Sequence, residues 1–203
     1  MAHQINPKRV IGRDNLIQTI WQRLDKGQSL RFTAERRIGK TTVMQKMQEE
    51  AKSGYHIVYV DGAGAETPEY FVEKLFQGLR NSLSRLHKTE KVFKAIRKSI
   101  GGIEIAGMIK LPVAEEEMWQ PALEKILEEV CRKFPDQRFV LMVDELPYML
   151  QKMEETARKN KKPSPSLHVM DVLRSLRQLH ANLTMVFCGS VGLHHVITEL
   201  KST

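Results

Sequence analysis

The chain has 203 residues, 41% of them hydrophobic, and carries 32 Lys and Arg against 24 Asp and Glu for a net charge of +8. That length suits one ordinary domain with a sizeable core; no apolar run approaches the roughly 20 residues of a membrane span, and Met1-Ala2-His3-Gln4-Ile5-Asn6 lacks the apolar centre of a signal peptide. The expectation is a cytoplasmic protein with no membrane partner, basic enough to attract polyanions, although that charge does not name one.

Val10-Ile11-Gly12-Arg13-Asp14 comes first. Leu16, Ile17, Ile20, Trp21 and Leu24 then recur at three- and four-residue spacing, which predicts a helix packed on a sheet, with Asp14 as its N-cap and Gly27 as its stop. Residues 29–33 alternate in polarity and read as a strand, and 42–51 read as a helix. Between them lies Ala34-Glu35-Arg36-Arg37-Ile38-Gly39-Lys40-Thr41. A loop between strand and helix N-terminus turns successive backbone N–H groups toward an anion, and the helix dipole adds to the attraction. Lys40 is placed to reach the β- and γ-phosphates of a nucleotide and Thr41 to hold a Mg2+ that bridges them. The pattern asks for glycine where Ala34 stands; that position needs only a small side chain, whereas Gly39 is expected at positive φ. A Gly-Lys-Thr tripeptide also arises by chance, so a second half of the site is required.

Residues 56–62 read as a second strand, followed by a small-residue loop at 62–65 and a helix opened by Thr67, Pro68 and Glu69, with Phe71, Leu75 and Leu79 as its buried stripe. Asp61, at the strand's carboxyl edge, is either an aid to the site or a solvated turn acid. Residues 80–98 form a basic amphipathic segment, either a patch for DNA, RNA or an acidic partner or a solvated helix face. Residues 101–112 alternate around Gly107 and predict an inserted β-hairpin.

A helix is predicted over 121–134, buried through Leu123, Ile126, Leu127 and Val130. The second half of the site follows at Phe139-Val140-Leu141-Met142-Val143-Asp144-Glu145, an apolar run of a strand buried on both faces, closed by two acids. Asp144 is placed to hold the Mg2+ beside Thr41, and Glu145 to orient and deprotonate an attacking water. Helices are predicted at 146–158 and 167–180 around an exposed, mobile, basic loop at 158–166; 183–188 is the last strand, ending at Gly189-Ser190. Strands alternating with helices imply a doubly wound parallel sheet with its ligand at the strands' carboxyl ends. Cys131 and Cys188 lie in apolar surroundings without metal-ligand spacing and read as buried free thiols.

Val10-Ile11-Gly12-Arg13, Arg36-Arg37-Ile38-Gly39-Lys40-Thr41-Thr42, Asp144-Glu145-Leu146-Pro147 and Cys188-Gly189-Ser190 together resemble the archaeal-type ATPases near the AAA+ and STAND P-loop families. The resemblance implies an ATP-binding core over 1–203. It would be a three-layer α/β/α P-loop NTPase sandwich with a mainly parallel sheet of order 5-1-4-3-2, its fifth strand missing here, and the 80–120 basic segment and hairpin as an insertion. ATP and Mg2+ are the implied ligands. Ala34, Glu35, Arg36, Arg37, Ile38, Gly39, Lys40, Thr41 and Thr42 would bind the nucleotide, Gly12 and Arg13 would lie against its adenine, and Ser190 would occupy the sensor position. Two departures stand out: Ala34, and a chain ending at Thr203 in which no lid, sensor arginine or winged helix can be located. A fragment is one explanation. A minimal protein completed by a partner or by self-association is the other.

The function expected first is a Mg2+-dependent ATPase with Lys40, Glu145 and Ser190 as catalytic residues and Thr41 and Asp144 on the metal. The alternative is a nucleotide-gated switch for a protein or nucleic-acid partner, with little steady turnover. A third reading is a nucleic-acid module using Lys159, Lys161 and Lys162. With no lid arginine assigned, hydrolysis is expected to be slow, Arg174 and Arg177 being candidates to reach a neighbour's site.

Overall fold

The computed structural model describes residues 12–35, 37–84, 89–101, 103–105, 108–110, 118–190 and 196–198. The first helix, α1 (Asp14–Asp25), buries Ile20, Trp21 and Leu24 as its spacing predicts. It stops where Gly27, at φ +70, lets the chain turn back, so that Gly27 N–H donates to Leu24 O at 2.9 Å and Gln28 N–H to Arg23 O at 3.0 Å. Asp14 is not its N-cap. Arg13 occupies that position without a side-chain cap, and Asp14, in the first turn, instead takes Lys46 Nζ at 3.1 Å, where an acid still suits the helix dipole.

After β1 (Leu30–Thr33) come α2 (Lys40–Glu49), β2 (Tyr55–Asp61), a 3-10 turn at Gly62–Gly64 and α3 (Pro68–Leu83). Thr67 caps α3, its Oγ1 accepting from Tyr70 N–H at 3.3 Å, and Phe71, Leu75 and Leu79 are fully buried. The basic segment is divided between the end of α3 and α4 (Thr89–Ser99), whose Phe93 meets Phe76 edge to face at 5.0 Å. Arg80 and Arg97 approach Glu90 at 3.8 and 4.0 Å, so part of the segment's charge is balanced internally. Arg85, Leu86, His87 and Lys88 lie outside the described residues, as do Val10 and Ile11. The expected hairpin is present as β3 (Ile103–Ile105) antiparallel to β4 (Met108–Lys110); Gly107, expected at its turn, lies outside the described residues.

Next come α5 (Trp119–Lys133), β5 (Arg138–Asp144), α6 (Leu146–Lys159), α7 (Ser166–Leu179) and β6 (Leu183–Gly189). The loop between α6 and α7 is exposed over 158–164, as expected, but its carboxyl half is stitched down rather than loose. Ser164 Oγ and Ser166 N–H donate to Glu154 Oε1 at 2.6 and 3.1 Å, and the buried Ser166 hydroxyl donates to Leu150 O at 2.7 Å.

The main sheet is parallel, in the order β1-β6-β5-β2. Counting its strands along the chain, this is 1-4-3-2, four members of the expected 5-1-4-3-2 order; a fifth is not among the described residues. Register places Asp61 beside Asp144 and Thr33 beside Gly189, so the carboxyl ends of the strands form one edge. One face packs Ile57, Val140, Met142, Val186 and Cys188 against α1 and α2. The other packs Val58, Val60, Leu141, Val143 and Met185 against α3, α5, α6 and α7, completing the α/β/α layers. Gly78 permits the close approach of α3, since a Cβ there would lie 2.8 Å from Tyr59 O. No helix among the described residues is long and apolar enough to cross a membrane.

Candidate nucleotide-binding site

The loop after β1 has the expected form. Gly39 caps α2 at φ +89 and ψ +23, a conformation that costs a side-chain-bearing residue about 1–2 kcal/mol. Ala34 is not among the positive-φ residues, so its backbone does not demand glycine, and its N–H extends the β1–β6 ladder by donating to Gly189 O at 3.4 Å. Lys40, only 5% exposed, folds across the loop and donates to Ala34 O at 2.7 Å and Glu35 O at 2.8 Å. Glu35, Arg37 and Ile38 form an exposed tip, with Arg37 at φ +66; Arg36 lies outside the described residues. Thr42 is half-buried on the first turn of α2. Arg13 reaches over to donate from Nη2 to Ile38 O at 2.8 Å, which fastens the residues ahead of α1, including Gly12 at φ +79, to this loop.

Facing the loop, Asp144 ends β5 with 3% of its surface exposed. Thr41 Oγ1 donates to Asp144 Oδ2 at 2.6 Å, and Glu145 N–H donates to Oδ1 at 3.0 Å. Tyr59, from β2, donates its phenol to the same Oδ2 at 3.1 Å. Burial first, and Asp144 second, push the Tyr59 phenol pKa far up, so it stays a donor at any ordinary pH. Burial likewise raises the neighbouring Cys188 thiol, again with Asp144 contributing, and no thiolate competes at the site.

Glu145 alone separates β5 from α6, at φ +49 and ψ +37, a left-handed conformation unusual for glutamate. Its Oε2 accepts from Ser190 Oγ at 3.1 Å and Ser190 N–H at 3.4 Å, so the two residues meet across the ends of β5 and β6. Gly62 is required beside them, because a Cβ there would lie 2.6 Å from Asp144 O. Asp61 does not join the group: its Oδ1 accepts from Ala63 N–H at 3.0 Å, closing a turn at the exposed surface.

Lys40, Thr41, Asp144, Glu145 and Ser190 thus gather at one edge, with Arg13 tied to the same loop. Tyr59 is the member that sequence reasoning missed. Its signal was a polar-tipped aromatic two residues before a strand's end, legible only once β2 is known to lie beside β5.

A hydroxyl and a carboxylate are hard oxygen donors of the kind Mg2+ takes, and their 2.6 Å contact is compatible with one ion touching both. No group of three or more His, Cys, Asp or Glu converges among the described residues. The helix N-terminus, the glycine-capped loop and the lysine together suit a phosphate chain.

A three-layer sandwich with this loop at the carboxyl edge of its sheet defines a P-loop nucleotide-binding domain. The chain belongs to the AAA domain family, which matches residues 23–197. Among solved structures it is similar to the Walker-type ATPase PABY2304 of Pyrococcus abyssi, at 15% identity and a TM-score of 0.59, covering 98% of this chain and 52% of that one. It is also similar to Cdc6p from Pyrobaculum aerophilum, at 14% identity and a TM-score of 0.49, covering 98% of this chain and 43% of that one. The chain therefore spans about half the length of these structures or less. No protein of curated function matches it by sequence.

Proposed function

We propose that this domain binds Mg-ATP at the edge formed by the loop 34–39 and the ends of β1, β5 and β6, and hydrolyses it slowly. The observation that carries this reading is the Thr41–Asp144 contact at 2.6 Å beside a Lys40 folded into the loop's mouth. Lys40 would exchange the Ala34 and Glu35 carbonyls for the β- and γ-phosphate oxygens, while backbone N–H groups at the start of α2 hold the phosphate chain. Gly12 and Arg13 would lie against the base. Thr41 and Asp144 would hold the Mg2+, which neutralises charge on the phosphate oxygens.

Glu145 would accept the proton of a water whose oxygen attacks the γ-phosphorus. The bond to the bridging oxygen breaks with its electron pair going to ADP, and inorganic phosphate leaves. Glu145 must first release Ser190, which holds its carboxylate at 3.1 Å, and this favours slow turnover. The same restraint supports the alternative of a nucleotide-gated switch, in which ATP and ADP leave Glu145 and Ser190 in different arrangements that a protein or nucleic-acid partner reads.

The test is calorimetric titration with ATP and ADP, with and without Mg2+, alongside phosphate release. Tight Mg-dependent binding with measurable release supports hydrolysis; tight binding with none supports the switch. Lys40→Ala should weaken binding more than tenfold, and a variant that binds as wild type would overturn the assignment.

A further inference from the structure

The carboxylate of Asp144 accepts from α2, from β2 and from the backbone of the residue that follows it. Glu145 N–H takes Oδ1, while Oδ2 accepts from both Thr41 Oγ1 and the Tyr59 phenol. These donors differ in how firmly they are fixed. Thr41 belongs to the first turn of α2, beside the Lys40 that would exchange its carbonyl partners for phosphate. Tyr59 belongs to β2, which pairs in register with β5 from Tyr55–Arg138 through to Asp61–Asp144. Its ring packs among the side chains between the sheet and α1 and α2.

We infer that Tyr59 is a positioning residue for the metal site: it holds Asp144 Oδ2 from the sheet side, so that the carboxylate already faces Thr41 before an ion arrives. This rests on the reading of Asp144 as a Mg2+ residue. A carboxylate at a strand end can rotate about two bonds, and a donor anchored in the adjacent strand removes that freedom. Thr41 Oγ1 can keep its hydrogen on Asp144 while its lone pairs face the cation, an arrangement that needs Oδ2 to stay in place.

The experiment measures binding of a fluorescent ATP analogue across a Mg2+ titration and, separately, in EDTA. Tyr59→Phe keeps the ring and removes only the donor. Its Mg2+ midpoint should rise about tenfold while metal-free affinity stays at the wild-type value. Tyr59→Met, also without a donor but different in shape, should give the same split, and Tyr70→Phe, at an exposed site on α3, should leave both values unchanged. A Mg2+ midpoint in Tyr59→Phe equal to wild type overturns the inference, as does an equal loss with and without metal, which would mark a packing role. Failure of the wild-type protein to bind the nucleotide at all would instead overturn the functional reading beneath it.

Discussion

Ser190 donates its hydroxyl to Glu145 Oε2 at 3.1 Å, joining the residue after β6 to the residue before α6. Glu145→Gln should therefore keep Mg-ATP affinity within a fewfold of wild type and lower single-turnover hydrolysis about a hundredfold or more, the scale of a lost general base. Ser190→Ala, which removes the hydroxyl that restrains Glu145, should not lower the rate, with binding again preserved. Single-turnover phosphate release beside equilibrium binding separates the two quantities, and a Glu145→Gln variant hydrolysing at the wild-type rate would remove Glu145 from the chemistry.

Arg174 and Arg177 lie exposed on α7. If subunits supply an arginine to one another, specific activity should climb with protein concentration in the wild type and stay flat in Arg174→Ala with Arg177→Ala. Brisk turnover at high dilution would mean that one chain already carries every group the reaction needs.

Replacing glycine by alanine inside an exposed helix normally stabilises it by about 1 kcal/mol. Gly78→Ala should instead destabilise by about 1–3 kcal/mol, because the added Cβ would meet Tyr59 O at 2.8 Å and Val58 Cγ1 at 3.2 Å. Urea unfolding measures this directly, and a midpoint equal to or above wild type would show that α3 can lift from β2 at no cost.

Burial pushes the Cys131 thiol pKa up to about 12, and Cys188 is raised as well. Both are free and buried. A thiol reagent at pH 8 should leave the native protein unlabelled and modify both cysteines once it is unfolded. A group whose neutral form is favoured in the fold costs nothing below its ordinary pKa of about 8.5, and stability falls as pH climbs beyond it, where only the unfolded chain ionises freely. Rapid native labelling would contradict the burial.

Much of this arrangement was legible in the residues themselves. Gly39 is expected at positive φ and has it; the apolar run 139–143 reads as a doubly covered strand and is buried throughout. Tyr59 was not legible, because its partner is set by which strands are neighbours, and spacing along one strand carries no information about the next. The cap of α1 was misread by one residue, since Asp14 suits the N-cap and the first turn almost equally. The loop 158–166 looked unrestrained because its anchors, Glu154 and the Leu150 carbonyl, lie on α6, before the loop begins.

Only Glu145 stands between β5 and α6, and a single residue cannot flex without turning its own side chain. Helix α6 has 14 residues, about 21 Å of helix, running from that residue at one end to the stitched, basic loop at the other. Its inner face is buried through Leu146, Met149, Leu150 and Met153, so its direction is held by the core as well as by that residue. The φ and ψ of Glu145 thus do two things at once: they set the direction in which α6 leaves β5, and they aim the carboxylate that meets Ser190.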